Sequence, residues 1–231
     1  TAAETLSQLK TQDAASMLLE MTHDSNGQIS RYARQKVVEA ANCHLDSLLQ
    51  TEAAAGSDKQ RADAIILLGE RKTPDITEQL LKYAQSDNDI IYKAAFKAIG
   101  SSASADQIPV LCDMIKTSVS DSFKSSAILA VNQILRNAPD QKTASAMILS
   151  EIKAAEGNLK ADLISTLKTS GDTDAMNYCL SLLSDAEGDS FLQPVPQAAL
   201  KSLSTWSNSG PAEFFLDQAK TSEHKSAYAK A

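Results

Sequence analysis

The sequence predicts an all-α fold, and three observations support that prediction. The chain has 231 residues but only 8 glycines and 6 prolines, so few residues interrupt helices. Hydrophobic residues make up 43% of the chain and aromatic residues only 5%, which leaves Ala, Leu, Ile, Val and Met to build the core. Apolar residues recur at helical spacing, and we find no convincing alternating run of β-branched residues that would indicate a strand.

Six segments repeat one apolar pattern at intervals of roughly thirty residues. They align when these residues share a column: Asn42, Gly69, Gly100, Asn132, Lys168 and Ser204. In every segment, the residues five, four and one positions before this anchor residue are apolar. Residues at these offsets form one stripe along a helix. The column five before the anchor holds Val37, Ala64, Ala95, Ala127, Leu163 and Ala199. The column one before it holds Ala41, Leu68, Ile99, Val131, Leu167 and Leu203.

A second set of apolar stretches alternates with these helices, each about three turns long. They span residues 15–21, 76–84, 108–115, 145–152, 175–183 and 211–219. Each repeat is therefore predicted to be two helices joined by a short turn. The expected N-caps are Ser57, Asn88 and Asp121. We expect Pro74 and Pro211 in the first turns of helices. We expect Gly69 and Gly100 at left-handed C-terminal caps.

The pattern of the second helices resembles the HEAT-repeat family. The segment NDIIYKAAFKAIG at residues 88–100 is the closest match, and IPVLCDMI at residues 108–115 resembles the family's first helix, with Pro109 expected to kink it. The family favours a basic residue eight positions before the anchor. This column holds Arg34, Arg61, Lys124 and Lys160, with departures at Tyr92 and Pro196. The resemblance implies a right-handed α-α superhelix (solenoid) of about six to seven helix pairs, with second helices on the concave side.

We expect one HEAT-like repeat domain over residues 1–231. Its repeats are expected at approximately 1–42, 43–72, 73–104, 105–139, 140–171 and 172–208, with a partial repeat at 209–231. The last segment lacks the strongly polar outer face of a capping repeat, which suggests a piece of a longer protein. The style of the sequence suggests a bacterial source.

Charge and residue spacing disfavour several classes of function. The net charge is −7 and no basic cluster is visible, which disfavours nucleic-acid binding. No apolar run approaches the roughly 20 residues that span a bilayer, so we expect no membrane insertion. The cysteines and histidines lack the spacing of metal ligands or a disulfide framework, and no phosphate-binding loop is present. These residues are Cys43, Cys112, Cys179, His23, His44 and His224.

The sequence therefore predicts a non-catalytic interaction module without metal or cofactor, which binds a protein, a peptide or flanking domains of the same chain. The best contact candidates are polar second-helix positions off the apolar stripe: Gln35, Glu39, Lys93, Lys97, Ser125, Ser165, Gln197 and Lys201. Trp206 is expected to cover a repeat junction, with contact to a partner as the alternative. Two alternative functions are a spacer that orients flanking domains and, disfavoured, a HEAT-like enzyme similar to bilin lyases or DNA glycosylases. The compartment and the oligomeric state stay open.

Overall fold

A computed structural model describes residues 1–186, 188–206, 208–221 and 225–228, and these residues form helices and turns without a strand. The helices are α1 (Ala2–Gln8), α2 (Gln12–Met21), α3 (Gly27–Glu39), α4 (Cys43–Ala55), α5 (Asp58–Glu70), α6 (Thr77–Ala84), α7 (Asp89–Ser102), α8 (Ile108–Thr117), α9 (Asp121–Asn137), α10 (Gln141–Ala154), α11 (Gly157–Leu167), α12 (Thr173–Ser184), α13 (Pro194–Ser204), α14 (Ala212–Thr221) and α15 (Lys225–Tyr228). Short 3-10 turns occupy Ala105–Gln107 and Gly188–Leu192. The predicted all-α class is confirmed.

Consecutive helices pack as pairs within two compact units, Thr1–Ala103 and Ser104–Ala231. In the first unit the pairs are α2–α3, α4–α5 and α6–α7, and the second helices α3, α5 and α7 also contact one another in order. In the second unit the pairs are α8–α9, α10–α11, α12–α13 and α14–α15, and α9, α11 and α13 contact one another in order. Each unit therefore has a layer of second helices, whose exposed side we call its second-helix face. The repeat boundaries, the single-domain organisation and the handedness of the superhelix stay predictions.

The apolar stripe is buried as expected, except in the first segment and at Ile128 of the fourth, which is half-buried. Every residue of the column five before the anchor is buried. In the column one before the anchor, Ala41 is exposed, because α3 ends at Glu39 and Ala41 lies beyond it. Asn42 explains this early end. Its side-chain oxygen accepts from the His44 N–H at 3.0 Å and caps α4, so the chain must already have left α3.

Several predicted helix ends are displaced. Ser57 and Asn88 are N-caps as predicted, but Ser120 rather than Asp121 caps α9. Pro74 lies in the turn before α6, which begins only at Thr77, and Pro211 directly precedes α14. Pro109 lies in the first turn of α8 rather than at a mid-helix kink. At that position its missing N–H removes no helix hydrogen bond.

Gly69 and Gly100 lie inside α5 and α7, so the predicted left-handed caps are wrong. A Cβ atom on Gly69 would lie 2.5 Å from the Cα of Ala98, which means that the backbones of α5 and α7 approach closely at this point. The left-handed residue is instead Lys72, with φ of 52°. The Thr73 N–H donates to the Leu68 carbonyl at 3.2 Å and the Lys72 N–H to the Gly69 carbonyl at 3.0 Å, the two hydrogen bonds of a Schellman motif.

Arg71 joins the end of α5 to the preceding pair of helices. Only 7% of its side chain is exposed. Its guanidinium donates to Asp46 at 2.9 Å and to the carbonyls of Val37 and Ala40, the latter at 3.0 Å. Arg71 therefore satisfies carbonyl groups left open where α3 ends.

Candidate functional site

The second-helix face of the first unit carries Lys93 and Lys97, one turn apart on α7 and both exposed. Each lysine already has an acidic neighbour. The Nζ of Lys93 lies 2.7 Å from Asp89 Oδ2, and the Nζ of Lys97 lies 3.9 Å from Glu70 Oε1. These lysines are accessible but electrostatically compensated.

Gln35 and Glu39 lie together on α3. The Gln35 amide donates to Glu39 Oε1 at 2.7 Å, and Lys36 Nζ lies 2.8 Å from Glu39 Oε2. Hydrogen bonds from Lys36 first, then from Gln35, hold the pKa of Glu39 below its ordinary value. The structure thus brings this predicted pair into direct contact.

The basic column of the first unit serves contacts within the protein. The guanidinium of Arg34 donates to both carboxylate oxygens of Asp63, with the Nη1 to Oδ1 distance at 2.9 Å, and so links α3 to α5. Hydrogen bonding to Asp63 raises the pKa of Arg34. Arg61 Nε donates to the carbonyl of Ala53 at 3.0 Å. These two basic side chains therefore serve contacts between helices of the first unit.

The second unit carries an open groove of about 400 Å³ between α11 and α13. Ser165 and Lys168 line it from α11 and its C-cap, and Lys201 lines it from α13. Asp162 borders the groove one turn before Ser165, and burial raises the pKa of its carboxyl. Two residues proposed from the sequence, Ser165 and Lys201, thus face the same space.

The other two candidates of the second unit lie apart from this groove. Ser125 is exposed on α9. Gln197 is half-buried, and its side-chain amide donates to the carbonyl of Phe191 at 2.8 Å, which anchors the preceding 3-10 turn. Sequence reasoning did not select Asp162 or Lys168 as contact residues. Asp162 lies in α11 and Lys168 is its C-cap residue, but only the packing of α13 shows that they share a groove with Lys201.

A family model for HEAT repeats matches residues 45–132. Within this range, the chain is similar to HEAT repeats. The matched range begins in α4 and ends in α9, and the helices on either side of it continue the same pairing. HEAT repeats generally serve as protein-interaction scaffolds and are typically non-catalytic. A search of curated proteins finds no match.

The three cysteines differ in exposure. Cys112 and Cys179 are buried, and burial raises the pKa of each thiol to about 12. A thiol with that pKa stays protonated near neutral pH and is a poor nucleophile. Cys43 is exposed at the first position of α4. Within the described ranges, no group of His, Cys, Asp and Glu residues is arranged to hold a metal ion.

His23 links two helix pairs. Its Nε2 lies 2.7 Å from Glu52 Oε1 on α4. His44 is exposed near the start of α4, and His224 lies outside the described residues.

Trp206 is buried at 9% exposure directly after α13. This burial favours a packing role over direct contact with a partner.

None of the helices in the described parts of the chain is long and apolar enough to cross a membrane.

Proposed function

We propose that this HEAT-repeat chain is a non-catalytic scaffold that binds a protein or peptide on its second-helix faces. The observation that carries the proposal is the groove between α11 and α13. Ser165 and Lys201 come from different repeats, yet both line one space of about 400 Å³. Pockets of this size accommodate a few side chains of a ligand.

The composition of the groove supports binding rather than catalysis. Its polar side chains are one carboxylate, hydroxyls and two lysines, and alanines at positions 161 and 198 form part of its walls. Small wall residues let an extended backbone approach the helices closely. The buried thiols of Cys112 and Cys179 do not line it.

A competing surface of the second unit lies between the first helices α8 and α10 and the second helix α11. A notch of about 340 Å³ is lined by Cys112, Lys116 and Glu151 from first helices, with Leu159 and Leu163 from α11. Its single lysine faces the carboxylates of Asp113, Glu151 and Glu156, so the notch is acidic. A partner bound there would place the interface on the first helices instead.

Site-specific photo-crosslinking separates these surfaces. A photoreactive amino acid is placed singly at Lys93, Ser125 or Lys201 on second helices, and at Lys82 or Lys142 on first helices. All five positions are exposed, so the substitutions are matched in their effect on folding. We expect one partner species from an extract of the source cells to crosslink several-fold more at the second-helix positions.

Crosslinks confined to Lys82 and Lys142 would contradict the proposal. Crosslinks at none of the five positions would favour the spacer that orients flanking domains. Circular dichroism of each variant serves as the control for folding.

A further inference from the structure

The lysines of the two second-helix faces differ in their neighbours. In the first unit, Lys36, Lys93 and Lys97 each lie 2.7–3.9 Å from a carboxylate oxygen. In the second unit, Lys168 and Lys201 are exposed and form no ion pair with any residue that the structure describes. Two ammonium groups without an ion-pair partner among the described residues therefore line one groove of a chain whose net charge is −7.

The hydroxyl groups of the groove are already used as donors. Ser165 Oγ donates to the Asp162 carbonyl at 2.6 Å, and Ser202 Oγ donates to the Ile164 carbonyl at 3.1 Å. A serine hydroxyl has one proton, so the oxygen of the half-buried Ser165 meets a ligand only as an acceptor, and Ser202 is buried. The donors left for a ligand are the ammonium groups of Lys168 and Lys201.

This division of donors and acceptors defines the chemistry of the ligand. A fitting ligand supplies negatively charged acceptors to the two lysines, and it supplies N–H donors to the oxygens of Ser165 and Asp162. An extended peptide with acidic side chains supplies both, since its backbone carries N–H groups and its carboxylates are acceptors. A fully deprotonated inorganic anion such as sulfate supplies only the acceptors.

Asp162 limits where the acidic side chains can lie. Its carboxylate borders the groove, and its other charged neighbours on α9 are Lys124 and Asp121, which act in opposite directions on it. An acidic ligand residue is repelled near Asp162 and attracted near Lys168, which lies six residues further along the same helix at its C-cap. The groove therefore has a polarity along α11.

We infer that the groove between α11 and α13 binds an acidic peptide segment of the partner, with Asp or Glu side chains against Lys168 and Lys201. This inference rests on the proposed scaffold function and adds the chemistry of the bound segment. Binding is electrostatic in part, so it weakens as salt rises.

Fluorescence anisotropy of the full chain tests the inference with three labelled decapeptides, in which Glu, Gln or Lys alternates with Ser. We expect the Glu peptide to bind about tenfold more tightly than the Gln peptide at low salt, and the Lys peptide not to bind. The double variant Lys168→Gln with Lys201→Gln is expected to lose this preference. Asp162→Asn is expected to tighten binding of the Glu peptide.

The matched control is Lys82→Gln with Lys142→Gln, which removes the same charge from exposed first-helix positions outside the groove and the notch. Equal binding of the Glu and Gln peptides, or an equal loss in the control variant, would overturn the inference. The crosslinking result separates the two proposals. A partner that still crosslinks at Lys201 while the Glu peptide shows no preference leaves the scaffold function standing and removes only the acidic ligand.

Discussion

Two positions near the end of α5 have opposite requirements for a side chain. Gly69 lies within the helix, where α7 leaves no room for a Cβ atom, and Lys72 lies beyond its end at φ of 52°. Left-handed backbone is costly for residues with a Cβ and easily adopted by glycine. The glycine is therefore required for close packing, whereas the residue in the cap conformation is a lysine.

We expect Gly69→Ala to lower the free energy of unfolding by about 2 kcal/mol, although alanine is the better helix former, because the added methyl meets the backbone of Ala98. Lys72→Gly should raise it by about 1 kcal/mol, because it relieves the left-handed strain. Urea unfolding followed by circular dichroism measures both. A stabilising Gly69→Ala would show that the two helices do not approach as closely as described.

The sequence did not distinguish these positions, for a physical reason. Gly69 follows the apolar stripe directly, which is where a C-terminal cap is expected when only local signals are considered. The end of α5 also depends on Arg71, whose guanidinium binds carbonyls more than thirty residues earlier. Contacts at that separation leave no local pattern.

At the scale of single elements, α1 is held to α3 by one ion pair and one side-chain hydrogen bond. It has seven residues, of which only Ala3 is buried, and isolated helices of this length are unstable. Glu4 accepts a hydrogen bond from Tyr32 at 2.7 Å and pairs with Lys36 at 2.9 Å, and both partners lie on α3. Hydrogen bonds from Lys36 and then from Tyr32 hold the pKa of Glu4 below its ordinary value of 4.5.

This lowered pKa predicts a dependence of α1 on pH. Because the unfolded Glu4 takes up its proton at higher pH than the folded one, the stabilisation is fully present above about pH 4.5 and is lost as pH falls through the folded pKa. Hydrogen exchange of the α1 amides should therefore accelerate, relative to that of the α5 amides, as pH falls below 4.5. In Glu4→Gln this relative acceleration should be absent. An unchanged pH profile in that variant would mean that Glu4 does not anchor the helix.

Among the elements, periodicity predicted the paired helices because each buries a stripe of apolar residues against its neighbours. Helix α1 escaped this reasoning, since one buried alanine makes no stripe. The same limit applies to the candidate site. Ser165 and Lys201 could be chosen as polar positions off the stripe, but the groove that they share depends on how α13 packs on α11.

At the scale of the whole molecule, the chain is organised as two compact units with mostly short-range packing. Repeat proteins derive their stability from each repeat and its immediate neighbours. In the first unit, the largest fully buried side chains include Leu49 of α4, Ile65 of α5 and Phe96 of α7. The helices that supply them form contacting pairs, α4 with α5 and α5 with α7.

We therefore expect residues 1–103 to fold when expressed alone, with a helical circular dichroism spectrum and one cooperative transition in urea. The matched control is a fragment of residues 1–72, which lacks α6 and α7. It exposes the side of α5 that packs against α7, including Gly69, and should unfold at a clearly lower urea concentration. A gradual, non-cooperative loss of helix in residues 1–103 would show that the packing of α3, α5 and α7 does not suffice for a stable core.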